Sequence, residues 1–341
     1  MPVGLRGVGN TVLLNRFSEI AELEGVTVAF IEAPETEDFP RLLAVRIRKI
    51  LLSLSTGKAR SAVNKALAVL RSFTMTLTDG TSIQLGVDPL AGHGDSGLLS
   101  EDLTDVLVAT GEAAAEQGTA LLLAVDEVQY LTRDELGALI TAVHRTTQLG
   151  LPVVLVGAGL PQLPGLAGEA KSYAERLFEF PTIGTLPTDD AKAVLAVPAQ
   201  DLGVDYDDEA LELILTESQG YPYFLQEWGH HVWNAAPGPT ITADDVEAVR
   251  AEVTSTLDDN FFLVRMDRLT PAEKRYLRAM ASLGPGPHRS GDIAAELGVK
   301  VESVAPRRSA LITKGMIYSP AHGDTAFTVP VFDVFLRRNV E

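Results

Sequence analysis

The 341-residue sequence contains no cysteine. That absence excludes disulfides, thiolate zinc sites and cysteine nucleophiles together. Long apolar runs are missing too: no stretch reaches the roughly 20 residues of a membrane span, and the start lacks the basic-then-apolar layout of a secretory signal. The expectation is a cytoplasmic protein with no membrane partner. Basic residues are scarce, 28 Lys+Arg against 46 Asp+Glu, and the formal charge of −18 argues against a chain coated in nucleic acid. The deficit is uneven, however. Residues 270–341 carry ten Lys+Arg against seven Asp+Glu, a local +3 that leaves −21 for everything before them. The tail is electrostatically a separate body, although such an excess gives DNA contact only weak support.

What the chain does have is enough length and apolar content, 46%, for two or three domains, and one apolar run that ends in acid. Residues 120–131 (ALLLAVDEVQYL) stop at two adjacent carboxylates, Asp126 and Glu127. Such a run reads as a strand covered on both faces, and packing gives no reason for an acidic pair at its C-terminal end. A strand that brings carboxylates to a sheet edge is half of a nucleotide-and-magnesium site. The other half is a glycine-rich turn opening a helix. Residues 4–11 (GLRGVGNT) fit the phosphate-loop pattern G-x-x-x-x-G-K-[ST] at every position but the lysine, where Asn10 stands. The competing reading is a coincidental turn.

Residues 11–23 place apolar side chains at helical spacing directly behind the glycines. A phosphate loop follows a central parallel strand, and only Met1-Pro-Val is available to supply it. An empty slot there would lose ladder hydrogen bonds and packing on both faces. The expectation is therefore a core lacking most of its first strand, in a chain truncated at its N-terminus. Further strands are predicted at residues 26–32, at 153–156 and near 180, with helices at 41–54, 103–117 and 136–148. Residues 73–87 predict a hairpin around Asp79-Gly80, and residues 90–99 a glycine-rich surface loop. His144, alone on its helix, reads as a structural or solvent-facing residue rather than a catalyst. Continuous apolar strands separated by helices predict a parallel α/β sheet with its ligand at the strands' C-terminal edge.

From residue 188 the pattern turns helical, at 189–198, 207–219, 223–235 and 243–257. The tail then opens with Thr270 as N-cap, Pro271 first in the helix and Glu273 three past the cap. Two short helices around Gly298 and a hairpin over residues 318–327 follow, which is the winged-helix arrangement. The expected domains are a nucleotide-binding core (1–186), a helical lid (187–266) and a winged helix-turn-helix (267–341).

In the loop, glycines let backbone N–H groups turn inward around phosphates, and the helix behind adds its positive end. Gly4, Gly7, Val8, Gly9, Asn10, Thr11 and Val12 form the nucleotide-contacting set. Thr11 would hold magnesium through its hydroxyl with Asp126 opposite, and Glu127 would position the attacking water. Asn10 lacks the lysine's charge, and losing one preorganised cation where charge develops costs about 3 to 4 kcal/mol. Nucleotide binding is thus expected to weaken and hydrolysis to be slow or absent. Arg176 stands where it could reach the γ-phosphate on a neighbouring subunit, the alternative being a salt bridge to Glu175 or Glu179. Lys300, Arg307, Arg308 and Lys314 mark the recognition helix; they read either as DNA-phosphate contacts or as a solvated basic face. Pro306 implies a kink or a late helix start.

The motifs GLRGVGNTVLL, LLLAVDEVQYL, LPVVLVGAGLPQL, KSYAERLFEF, GYPYFLQEWG and KGMIYSP…AFTVPVFDVFLRR, in this order, resemble a bacterial family of AAA+ ATPases related to archaeal and origin-recognition-type ATPases. The resemblance spans essentially the whole chain. It implies a P-loop core, a lid and a winged helix, with ATP and Mg2+ as cofactors and a homo-oligomer or duplex DNA as partner. Gly4, Gly7, Gly9 and Thr11 match its Walker A loop, Asp126 and Glu127 its Walker B, and Arg176 its arginine finger. Gly220-Tyr-Pro-Tyr is similar to a G-x-P element that approaches the nucleotide base, which adds Pro222, and no sensor-2 arginine accompanies it. The chain departs at Asn10, at the short leading strand, and at the sensor-1 position, where Gly-Ala-Gly replaces a polar residue. The implied function is an ATP-binding switch coupled to a DNA- or partner-binding tail, or else a catalytically silent nucleotide-binding regulator.

Overall fold

The computed structural model describes residues 1–34, 38–55, 59–77, 87–321 and 323–339. Packing divides the chain into two units, the first made of Met1–Gly4 and Asn10–Thr182, the second of Leu5–Gly9 and Ile183–Glu341.

The first unit is a parallel sheet flanked by helices. Its strands are β2 (Thr27–Glu32), β3 (Leu121–Asp126) and β4 (Val153–Gly157), while β1 (Val3–Gly4) and β5 (Thr182–Ile183) form a separate two-stranded pair. Strand β3 pairs in parallel with β2 on one side and β4 on the other, placing Asp126 beside Glu32 and Val125 beside Gly157. Every residue of β3 is buried, as its unbroken apolar sequence requires. The helices are α1 (Asn10–Leu23), α2 (Phe39–Ser53), α3 (Arg60–Thr76), α4 (Leu99–Gln117), α5 (Arg133–Gln148), α6 (Leu163–Ala170) and α7 (Ala174–Leu177). On α1 the fully buried Leu14 packs against Ala124 and Ala158, whose small side chains let the helix approach the sheet.

The leading strand is two residues long: Val3 bridges Gly159 in parallel, Gly4 N donates to Gly159 O at 3.0 Å, and Val3 N donates to Pro181 O at 2.9 Å. The hairpin fails at its first run, since Phe73 to Thr76 are the last turn of α3 with Phe73 buried. Residues 78–86, the rest of that expectation, lie outside the described residues. The 90–98 loop is pinned by carboxylates, with Ser96 and Gly97 N donating to the buried Asp102.

The second unit begins with α8 (Thr188–Gln200), α9 (Asp208–Ser218), α10 (Pro222–Ala235) and α11 (Ala243–Leu257). A two-residue parallel pair, β6 (Asp205–Tyr206) with β7 (Thr240–Ile241), ties the entries to α9 and α11. A π-helical turn at Asp258–Leu263 leads through α12 (Val264–Met266) into α13 (Pro271–Ser282). Then come β8 (His288–Arg289), α14 (Ser290–Glu296), α15 (Ala305–Thr313), β9 (Ile317–Tyr318), β10 (Asp324–Phe327) and α16 (Phe332–Arg338). The last strands form an antiparallel sheet in the order β8-β10-β9. One core runs through the whole unit: Phe224 meets Phe262, and Phe262 stacks on Phe332 and Phe335. Pro306 sits in the first turn of α15, so the helix starts late and is not kinked. Among the described residues, no helix is long and apolar enough to cross a membrane.

Candidate functional site

Asp126 ends β3 with only 4% of its surface exposed. A buried carboxylate needs partners, and this one has two: Thr11 Oγ1 donates to Oδ2 at 2.6 Å, and Glu127 N donates to Oδ1 at 2.9 Å. Among the described residues no cation is paired with it. Thr11, at the start of α1, and Asp126, 115 residues apart, thus meet at one strand end. A hydroxyl and a carboxylate are hard oxygen donors of the kind magnesium takes, so the residues present fit that ion.

The loop itself needs its glycines. Gly7 and Gly9 have φ of +90° and +98°, and the position of a Cβ on Gly9 is open space. Asn10, the first residue of α1, turns its amide to the backbone: Nδ2 donates to Gly4 O at 3.2 Å and to Gly159 O at 3.4 Å. Its Oδ1 is buried without a partner. The side chain in the lysine position therefore steadies the junction of β1 with Gly159 instead of presenting a charge.

Glu127 has a left-handed backbone, φ +52°, a conformation uncommon for residues other than glycine and frequent at working sites. Gln129 Nε2 donates to its carboxylate, while Gln129 Oε1 accepts from Leu160 N at 3.0 Å. This explains the Gly-Ala-Gly stretch. A Cβ on Gly159 would lie 2.6 Å from Gln129 Oε1, and one on Gly157 would lie 2.9 Å from Val128 Cγ2. The side chain that β4 lacks is supplied from behind the acidic pair, and sequence reasoning missed it because a glutamine two residues past Glu127 fits no motif.

Val12 is 68% exposed on α1. In the second unit, Val8 is buried in the core, Pro222 opens α10, Tyr223 N donates to Gly7 O at 3.1 Å, and Tyr221 Oη donates to Arg6 O. Arg176 is exposed on α7 and has no ion-pair partner among the described residues, so neither Glu175 nor Glu179 holds it. His144 lies 5.0 Å from the Tyr173 ring.

The four basic tail residues divide. Arg308 is committed internally, donating to Thr325 Oγ1 (2.8 Å), Ser319 Oγ (2.7 Å) and Asp324 O (2.9 Å), so it holds the hairpin to α15. Lys314 pairs with the buried Glu273 at 2.8 Å. Lys300 is exposed and Arg307 half-buried, and neither has a side-chain partner among the described residues. Of the four, Arg308 and Lys314 are thus occupied within the fold.

Comparison with known proteins bears on the fold. The Walker-type ATPase PABY2304 of Pyrococcus abyssi superposes with a TM-score of 0.63 at 15% identity, over 98% of this chain and 90% of that one. Cdc6p from Pyrobaculum aerophilum (TM-score 0.45, 15% identity, 100% and 88% covered) and a RuvB variant from Thermotoga maritima (0.43, 16%, 100% and 88%) are more distant and carry no argument. A family model described as a domain of unknown function (DUF8462) matches residues 259–336. By sequence, no curated protein matches significantly. The fold is that of a Walker-type ATPase. At such identities the likeness extends to the fold alone.

Proposed function

We propose that the chain is a nucleotide-binding, AAA+ type P-loop protein of the cytoplasm, a switch that couples the state of a bound adenine nucleotide to a DNA- or partner-binding winged helix. The observation that carries this reading is the 2.6 Å hydrogen bond from Thr11 to Asp126. Both groups would hold magnesium, which when bound offsets the charge of the phosphates. The loop's backbone N–H groups cradle the phosphates, with Gly4, Gly7, Val8 and Gly9 allowing close approach. Val12, exposed on α1, would contact the rest of the nucleotide. Glu127, oriented through Gln129, accepts a hydrogen bond from the attacking water. Arg176, exposed and without an ion partner among the described residues, serves a neighbouring copy in a homo-oligomer.

Asn10 supports slow turnover, because its amide donates to two carbonyls and brings no charge. It equally favours the second reading, a catalytically silent nucleotide-binding regulator. The division into core, lid and winged helix at 1–186, 187–266 and 267–341 rests on the helices α8 to α11 and on the β8-β10-β9 sheet beside α13 to α15. Lys300 and Arg307 are the residues offered to duplex DNA. The test is nucleotide titration of the wild-type chain and Thr11→Ala, with ATP turnover followed in Asn10→Lys. Binding lost in Thr11→Ala, together with turnover gained in Asn10→Lys, is expected of the switch. Binding without any gain in a folded Asn10→Lys chain assigns the silent form, and no binding at all ends the proposal.

A further inference from the structure

Helices α8 and α10 leave a groove of about 300 Å³ open to solvent. Along one wall Val194, Pro198 and Leu202 recur every fourth residue, on α8 and just past its end, so they share a face. The other wall is α10, where Gln226, His230 and Trp233 fall at helical spacing. Gly229 lets the two helices approach, since a Cβ there would lie 2.9 Å from Leu195 Cδ2. Leu202 is 72% exposed and Trp233 40%, and Val194 is exposed beside them. Single exposed apolar residues are ordinary, but a valine, a leucine and a tryptophan lining one groove mark a contact surface.

The charge around the groove selects its partner. Residues 188–257 hold fourteen Asp+Glu and two Lys+Arg, a local −12 within the −21 that precedes the tail. Both cations are already used: Lys192 pairs with Glu212, and Arg250 with Glu217 and Glu247. Asp201 caps the C-terminal end of α8, where the helix dipole is negative and a cation is the favourable neighbour. It and Asp205 bracket Leu202, are exposed, and have no ion-pair partner among the described residues. Such a face repels nucleic acid and anionic membranes and attracts a cationic segment. We infer that the groove between α8 and α10 docks a basic amphipathic helix of a partner protein. Apolar side chains of that helix fill the trough, and Lys or Arg beside them meet Asp201 and Asp205. The inference does not depend on the nucleotide reading, because every residue in it belongs to the second unit.

The experiment is a fluorescence-anisotropy titration of the full chain with a synthetic helix of about five turns, leucines on one face and lysines on the other. In the control peptide, glutamate replaces every lysine. The variants are Leu202→Asp, Trp233→Ala, and Asp201→Asn combined with Asp205→Asn. Leu202→Asp makes the chain more acidic, so attraction by charge alone would strengthen while docking in the groove would fail. The expected result is a loss of about tenfold or more in affinity for Leu202→Asp and for Trp233→Ala. The double asparagine variant should lose several-fold and show a flatter salt dependence, and the glutamate peptide should not bind. A lysine peptide that binds a folded Leu202→Asp chain as it binds the wild type overturns the inference, as does equal binding of the two peptides or none of either. Wild-type self-association that Leu202→Asp abolishes, without affinity for the peptide, gives the groove to a second copy and overturns it too. If Leu202→Asp does not fold, Trp233→Ala decides by the same criterion.

Discussion

Gln129 and Gly159 work as a pair. The glutamine bridges Glu127 and Leu160 N, and only a glycine at 159 leaves room for it. Gly159→Ala should displace the glutamine, leave Leu160 N without its partner, and cost about 1 to 3 kcal/mol in urea unfolding. In a Gln129→Ala background the same change should cost little, so the double-mutant cycle measures the coupling directly. Additive losses would show that the two residues do not act together. At this scale the sequence was legible where chemistry follows a pattern, as with Thr11 and Asp126. It was silent on Gln129 because the contact joins β4 to the turn after β3, and no spacing encodes that proximity. The internal partners of Arg308 and Lys314 were hidden for a related reason: a basic side chain looks the same in sequence whether it meets solvent or a buried partner such as Glu273.

Among the elements, α13 is the best specified. Thr270 Oγ1 accepts from Glu273 N at 3.3 Å and Glu273 Oε2 accepts from Thr270 N at 2.7 Å, the reciprocal box that Leu269-Thr-Pro-Ala-Glu announces. Thr270→Ala should cost about 1 kcal/mol, read as a lower denaturation midpoint. Burial raises the Glu273 carboxyl, but the Lys314 ammonium and the Thr270 amide and hydroxyl outweigh it and hold the pKa below the ordinary carboxylate value of 4.5. A depressed folded-state pKa gives stability that is present above the unfolded-state value and lost as pH falls through the folded one. The wild type should therefore lose stability below about pH 4.5, and Glu273→Gln should flatten that part of the profile; an unchanged profile would contradict the assignment. The hairpin expected over residues 73–87 failed because a short apolar alternation does not tell a strand from the end of an amphipathic helix. Phe73 continues the buried stripe of Val69 and Leu70 on α3. Pro306, ambiguous in sequence, is resolved by its place in the first turn of α15, where a missing N–H costs nothing.

For the molecule as a whole, the parallel sheet was legible from its continuous apolar strands, but the backbone partners of the short leading strand were not. Those are Gly159 and Pro181, which offer backbone groups to Pro2–Gly4 from distant parts of the chain. If the tail binds duplex DNA, Lys300→Glu combined with Arg307→Glu should weaken binding across sequences and flatten its salt dependence, whereas loss of DNA affinity is not expected to alter nucleotide binding. Affinity that ignores salt in the wild type would point to a protein partner instead. The central claim is that Thr11 and Asp126 form one half of a magnesium–nucleotide site. The most direct measurement is the affinity for ADP with and without magnesium, in the wild type and in Asp126→Asn. Magnesium should tighten binding in the wild type and have no effect in Asp126→Asn, whose amide keeps the side chain's shape but not its charge. An equal effect of magnesium in both, with both chains folded, would contradict the account.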